Sequence, residues 1–300
     1  MSTTAGRLAR LTTALVALLA LAGCVGAPAT PAQVDRTLPE PPATEFEPGL
    51  IVSDDAFYNA DAMSEDAIQA FLEQVPCRAD RGIECLADHA ETTTTKPAVG
   101  GTHCAAYEGG VDEPASRIIE KVADACGISP RTLLVLLQKE QSLLTRPTAA
   151  GYERATGYAC PDTADCDQKY FGFFNQVYSA AWQFRQYTEH PERRYMIGAT
   201  PIGYNPDAAC GASTVEVRNQ ATANLYNYTP YQPNPATLAD PEGGDVCGAY
   251  GNLNFWRLWH RWFGDPTAER YPAFFEPCTR LVGGHPCPVE PTLPAVVDTP

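Results

Sequence analysis

Eleven cysteines in a chain of 300 residues constrain it more than any other feature. Cys24 stands apart, at the end of an apolar N-terminal run. The other ten, Cys77, Cys85, Cys104, Cys126, Cys160, Cys166, Cys210, Cys247, Cys278 and Cys287, form an even set. In an oxidising compartment such a set is used for disulfides, so up to five bridges are expected. Connectivity does not follow from sequence, and pairing each cysteine with its next neighbour is the simplest hypothesis. Zinc is the rival use of thiols. No C-x-x-C pair occurs and the five histidines are scattered singly, so neither a metal nor another cofactor is expected.

The N-terminus supplies the compartment. Residues 1–23 carry Arg7 and Arg10, no acidic residue, and an apolar run over 11–22 that is too short for an ordinary membrane span. This pattern reads as an export signal. It ends in Leu21, Ala22, Gly23 and Cys24, which resembles a bacterial lipobox. That resemblance implies lipidation of Cys24 and a chain anchored to the outer face of the plasma membrane. Residues 24–48 are rich in Pro, Ala and Thr and read as a tether. Residues 49–265 are long enough for one sizeable core. Residues 266–300 read as a Pro-rich appendage in which Cys278 and Cys287 close a loop. A net charge of −15 repels phosphate polymers, so nucleic acid is not an expected partner.

Within 49–265 the periodic segments are helical. Ser64 caps a helix over 64–75 stopped by Pro76, and Asp112 or Glu113 before Pro114 opens a second that Gly127 closes. Further helices are expected over 175–187, 215–226 and 253–263, the last ended by Gly264. Strand signals are few, with no sustained alternation and no hairpin dipeptide between β-branched runs. The expected class is mainly α, with long loops pinned by disulfides.

One helix carries chemistry. Over 129–145, Ser129 is an N-cap and Pro130 the first helical residue. Leu133, Leu136, Leu137, Leu143 and Leu144 share a face with Glu140, while Gln138, Lys139 and Gln141 point elsewhere. A carboxylate among leucines favours its neutral form and suits a general acid. The bland reading is a buried glutamate satisfied by an arginine or a backbone donor.

The run Gly127, Ile128, Ser129, Pro130 and on through Glu140, Gln141 and Ser142 resembles the signature helix of the lysozyme-like superfamily. It is closest to soluble lytic transglycosylases and goose-type lysozymes, although Gln141 separates the glutamate from the serine. Gly172, Phe174, Asn175 and Gln176 resemble the Gly-apolar-apolar-Gln segment that lines the sugar cleft of those enzymes, with one residue more. Tyr226 and Asn227 resemble a late Ala-Tyr-Asn segment, and Tyr228 and Tyr231 add rings suited to a pyranose face. The resemblance implies a lysozyme-like helical domain that cleaves the β-1,4 bond between N-acetylmuramic acid and N-acetylglucosamine in peptidoglycan, with Glu140 as general acid and base. A muramidase then needs a second carboxylate, for which Glu153, Asp162, Asp165 and Asp167 are candidates. A lytic transglycosylase needs none. The order of segments across residues 53–264 is also similar to exported actinobacterial proteins of unassigned function, some called haemagglutinins.

Two other classes remain open on sequence. One is a non-catalytic surface lipoprotein that binds wall glycan or another carbohydrate on the same scaffold. The other is a cysteine peptidase or amidase using Cys104 with His103 or His89, which requires a free thiol.

Overall fold

The computed structural model describes residues 38–98, 103–161 and 165–268. The expected export signal, the lipidated Cys24, Asp162 and the Cys278–Cys287 loop lie outside the described residues.

The elements follow local signals closely. Helix α1 (Asp54–Tyr58) is capped by the Ser53 side chain and α2 (Glu65–Gln74) by that of Ser64. A two-residue ladder pairs β1 (Ala90–Glu91) with β2 (Glu113–Pro114) in antiparallel register. Helix α3 (Ala115–Cys126) begins one residue after Pro114 and stops at Gly127, whose φ of 62° is the left-handed turn a helix end needs. Helix α4 (Pro130–Gln141) follows at once, with the Ser129 hydroxyl accepting from the Arg131 N–H. It ends four residues earlier than the sequence suggests, because Ser142 adopts φ 52° and turns the chain. Short α5 (Ala149–Glu153) leads to the long α6 (Phe173–Glu189).

The sequence reading missed what comes next. Strands β3 (Gly198–Gly203) and β4 (Ala212–Val217) form an antiparallel hairpin, with Gly198 opposite Val217 and Gly203 opposite Ala212. The helix expected over 215–226 is therefore a strand followed by α7 (Gln220–Tyr228), separated by Asn219, which caps the helix through its side chain. Helices α8 (Pro235–Ala239) and α9 (Gly251–Phe263) close the described chain, with Gly264 at φ 83° ending α9. The class is mainly helical.

Helix α4 is the centre of the packing. Thr132 through Leu137 are all buried, so this helix is enclosed on every side rather than on one stripe. Its main neighbour is α9, while α3 packs on α2, α4 and α6. Ile118, Ile119 and Val122 of α3, Val177 and Phe184 of α6, and Leu253 and Trp259 of α9 complete one continuous core. Each such side chain contributes about 1.5–3 kcal/mol by leaving water, before the entropy of ordering the chain is set against it.

Four disulfides pin the loops: Cys77–Cys85, Cys104–Cys126, Cys160–Cys166 and Cys210–Cys247. The neighbour pairing holds at all four, and they mark an extracytoplasmic protein. No helix among the described residues is long and apolar enough to cross a membrane.

The folded body begins earlier than expected. Residues 38–48, read as tether, lie against α9. The Leu38 N–H donates to the Arg261 carbonyl at 2.7 Å, Glu40 pairs with Arg257 and Arg261, and Phe46 is buried edge-on to Trp256. Composition concealed this because one aromatic and one carboxylate carry the docking.

Candidate active site

Glu140 sits in the last turn of α4, where the helix end carries partial negative charge. A cation offsets that cost. Lys139, expected to point away, has a side chain only 4% exposed, and its Nζ pairs with Glu140 Oε1. The same ammonium donates to Thr229 Oγ1 at 2.8 Å and lies 5.9 Å from the centre of the Tyr228 ring. Gly251, the first residue of α9, lets that helix approach Thr229, since a Cβ there would stand 2.5 Å from Thr229 Cγ2. The leucine-lined carboxylate expected from the helical wheel is thus replaced by an ion-paired one whose side chain is 24% exposed.

The second oxygen of Glu140 faces a loop. Gly157 has φ +70°, and a Cβ on it would lie 3.4 Å from Glu140 Oε2. The positive φ is what calls for a glycine here, since the second distance is an ordinary van der Waals contact. The loop is fixed by Gln176, a fully buried residue of α6. Its Oε1 accepts from the N–H groups of Thr156 at 3.2 Å and Tyr158 at 3.1 Å. Its Nε2 donates to the carbonyls of Tyr158 at 3.0 Å and Tyr170 at 2.9 Å. Gln176 is therefore a positioning residue and not the sugar contact expected of it.

Tyr228 joins this cluster from α7. Its hydroxyl donates to the Thr156 carbonyl at 2.7 Å and its ring stacks on Phe184. Burial, and then the negative charge of Glu140, push its phenol well above the ordinary value. Glu140, Lys139, Gly157, Gln176 and Tyr228 thus form one connected constellation.

A groove of about 310 Å³ runs beside the loop, lined chiefly by Lys96, Tyr158, Tyr170, Asn175, Tyr178 and Trp182. Tyr158 follows Gly157 directly, so one strand of backbone borders both Glu140 and the groove. Of the expected substrate contacts, Asn175 lies here, with Nδ2 donating to the Phe171 carbonyl at 3.1 Å and Oδ1 accepting from Lys96 at 3.2 Å. Lys96, Tyr158, Tyr170, Tyr178 and Trp182 were not singled out from sequence. The spacing of Tyr178 and Trp182 on α6 was the signal, four residues apart and on one helical face.

The remaining expected contacts are elsewhere. Gly172 holds φ 100° at the start of α6 and donates its N–H to the Glu153 carbonyl at 3.1 Å. Phe174 is buried against Tyr107. Tyr226 is fully buried, its hydroxyl donating to the Pro48 carbonyl at 3.0 Å and its phenol raised by burial and then by Tyr195. Asn227 braces the backbone of Tyr195 through both amide atoms. Tyr231 pairs as an isolated bridge with Gly203. These residues build the core and the loop frame, because neighbours distant in sequence cover them.

Among the described second-carboxylate candidates, Glu153, Asp165 and Asp167 are exposed, and Asp167 is held by Lys169 at 2.9 Å. Bonding of Cys104 to Cys126 removes the proposed thiol nucleophile. Among the described residues no group of three or more His, Cys, Asp or Glu is placed to hold a metal ion. No family model, curated protein or solved structure matches the chain.

Proposed function

We propose that this is a cell-surface lipoprotein, anchored through Cys24 and acting on peptidoglycan glycan strands on a lysozyme-like scaffold. In this reading it cleaves the β-1,4 bond between N-acetylmuramic acid and N-acetylglucosamine, and Glu140 is its general acid and base. The observation that carries the reading is the place of Glu140 Oε2 beside Gly157, 3.4 Å from where a Cβ on that residue would stand, one residue before Tyr158 and the aromatic groove it lines. The protonated Glu140 gives its proton to the glycosidic oxygen as the C1–O bond breaks and the ring gains oxocarbenium character. The resulting carboxylate then takes a proton from the attacking hydroxyl. In a lytic transglycosylase that hydroxyl is the muramic acid's own, which closes an anhydro ring, and in a muramidase it belongs to water.

A second reading is a non-catalytic carbohydrate-binding lipoprotein. The ion pair between Glu140 and Lys139 favours it, since a carboxylate so paired is already satisfied without a reaction to perform. Digestion of purified peptidoglycan by the full chain and by Glu140→Gln, with products read by mass spectrometry, separates the two. Anhydro-muramic ends from wild type alone support the transglycosylase, whereas reducing ends point to a muramidase. Release of nothing by either protein, with both still pelleting with the wall, leaves the binder.

A further inference from the structure

Lys96 is an unusual member of an aromatic groove. Its Nζ lies 5.3 Å from the centre of the Phe174 ring and 5.6 Å from that of Tyr178, and donates to Asn175 Oδ1 at 3.2 Å. In a chain with 36 acidic side chains and 21 basic ones, none of the described carboxylates pairs with it. Two ring faces and one amide hold the ammonium in place but do not neutralise it. Beside it, the Tyr178 hydroxyl is buried with no hydrogen-bond partner among the described residues, on a side chain only 7% exposed. A buried phenol left unpaired costs about 1–3 kcal/mol, so a ligand that accepts from it recovers that cost. Tyr158 and Tyr170 meet edge to face at 4.9 Å on the loop side, and Trp182 completes the lining. Flat rings cover the apolar face of a pyranose, a phenol donates to a ring substituent, and a fixed ammonium answers a negative one.

We infer that the groove selects a pyranose bearing a free carboxylate, received by Lys96, over a neutral sugar of the same size. The inference deepens the glycan reading, and rests on it only for the chemistry that follows binding. In wall glycan the matching group is the lactyl carboxylate of a muramic acid stripped of its peptide. A uronic acid presents the same chemistry.

Titration of the full chain with three disaccharides, followed by tryptophan fluorescence and calorimetry, tests this directly. They are N-acetylglucosaminyl-N-acetylmuramic acid, a glucuronic acid–N-acetylglucosamine disaccharide, and neutral chitobiose. At least one acidic sugar is expected to bind about tenfold more tightly than chitobiose, the worth of one charge-assisted hydrogen bond, and the stronger of the two identifies the source. Lys96→Met is expected to level the preference and Lys96→Arg to retain it. Equal binding of all three sugars by wild type, no binding of any, or a preference that survives Lys96→Met would overturn the inference. A selective groove in a chain that cleaves nothing would refute the catalytic reading and leave this one standing.

Discussion

Gln176 grips both backbone polar groups of Tyr158, accepting from the N–H at 3.1 Å and donating to the carbonyl at 3.0 Å. The same amide reaches Thr156 and Tyr170. One side chain of α6 thus fixes the backbone that passes over Glu140 and enters the groove.

Gln176→Leu keeps the volume and removes the clamp, leaving several buried backbone groups without partners. A loss of about 2–4 kcal/mol in urea denaturation is expected, with glycan release and disaccharide binding both impaired. A loss below about 0.5 kcal/mol, the size of an ordinary surface change, would show that the loop holds itself.

Gly157→Ala meets a left-handed φ and sets its new methyl group in van der Waals contact with the Glu140 carboxylate, at 3.4 Å. The backbone alone costs about 1–2 kcal/mol. The variant is expected to remain folded but to displace Glu140, so glycan cleavage should fall further than disaccharide binding at the groove does.

Asp124 on α3 gives a dependence on pH. Burial, followed by the charges of Glu120 and Asp61, raises its carboxyl to about 6. Between the unfolded value near 3.8 and about 6 the folded chain holds the extra proton, so this group's contribution to stability falls as pH rises through that window. Asp124→Asn is expected to stabilise the protein above pH 6 by about 1 kcal/mol, after allowance for partial exposure, and to change little below pH 4. Denaturation midpoints at three pH values check both the sign and the window.

The disulfides rank by the chain they close. Cys210–Cys247 spans 37 residues and Cys77–Cys85 only 8. Replacing the first pair with alanines should cost about 1 kcal/mol more than replacing the second. Calorimetric melting of the two double variants, compared with wild type, tests the order.

Helix starts and stops were legible because they are local. Ser64, Ser129 with Pro130, Gly127 and Gly264 each act on backbone within a turn of themselves. The hairpin escaped because β3 carries Pro201 and small residues. In β4 the buried Val215 and Val217 flank exposed Glu216, an alternation too short to stand out before the helix that Asn219 caps. The site divided in the same way. Glu140 was marked by its helical spacing and Gln176 by the resemblance of its segment, but the role of Gln176 depends on a loop 18 to 20 residues away. The Tyr226 hydroxyl bonds to Pro48, 178 residues distant. Lys139 was misplaced because a helical wheel carries no information about the end of α7, where Tyr228 and Thr229 receive the ammonium.

The docking of residues 38–48 has a mechanical consequence. The Leu38 N–H is bonded to the Arg261 carbonyl, a Cβ on Gly264 would touch Leu38 Cδ1 at 3.8 Å, and the Pro266 carbonyl accepts from Ser53. The described body is therefore gripped at entry and exit by the same end of α9. A pull between those two points is borne first by the bonds from Leu38 and Glu40 to Arg257 and Arg261.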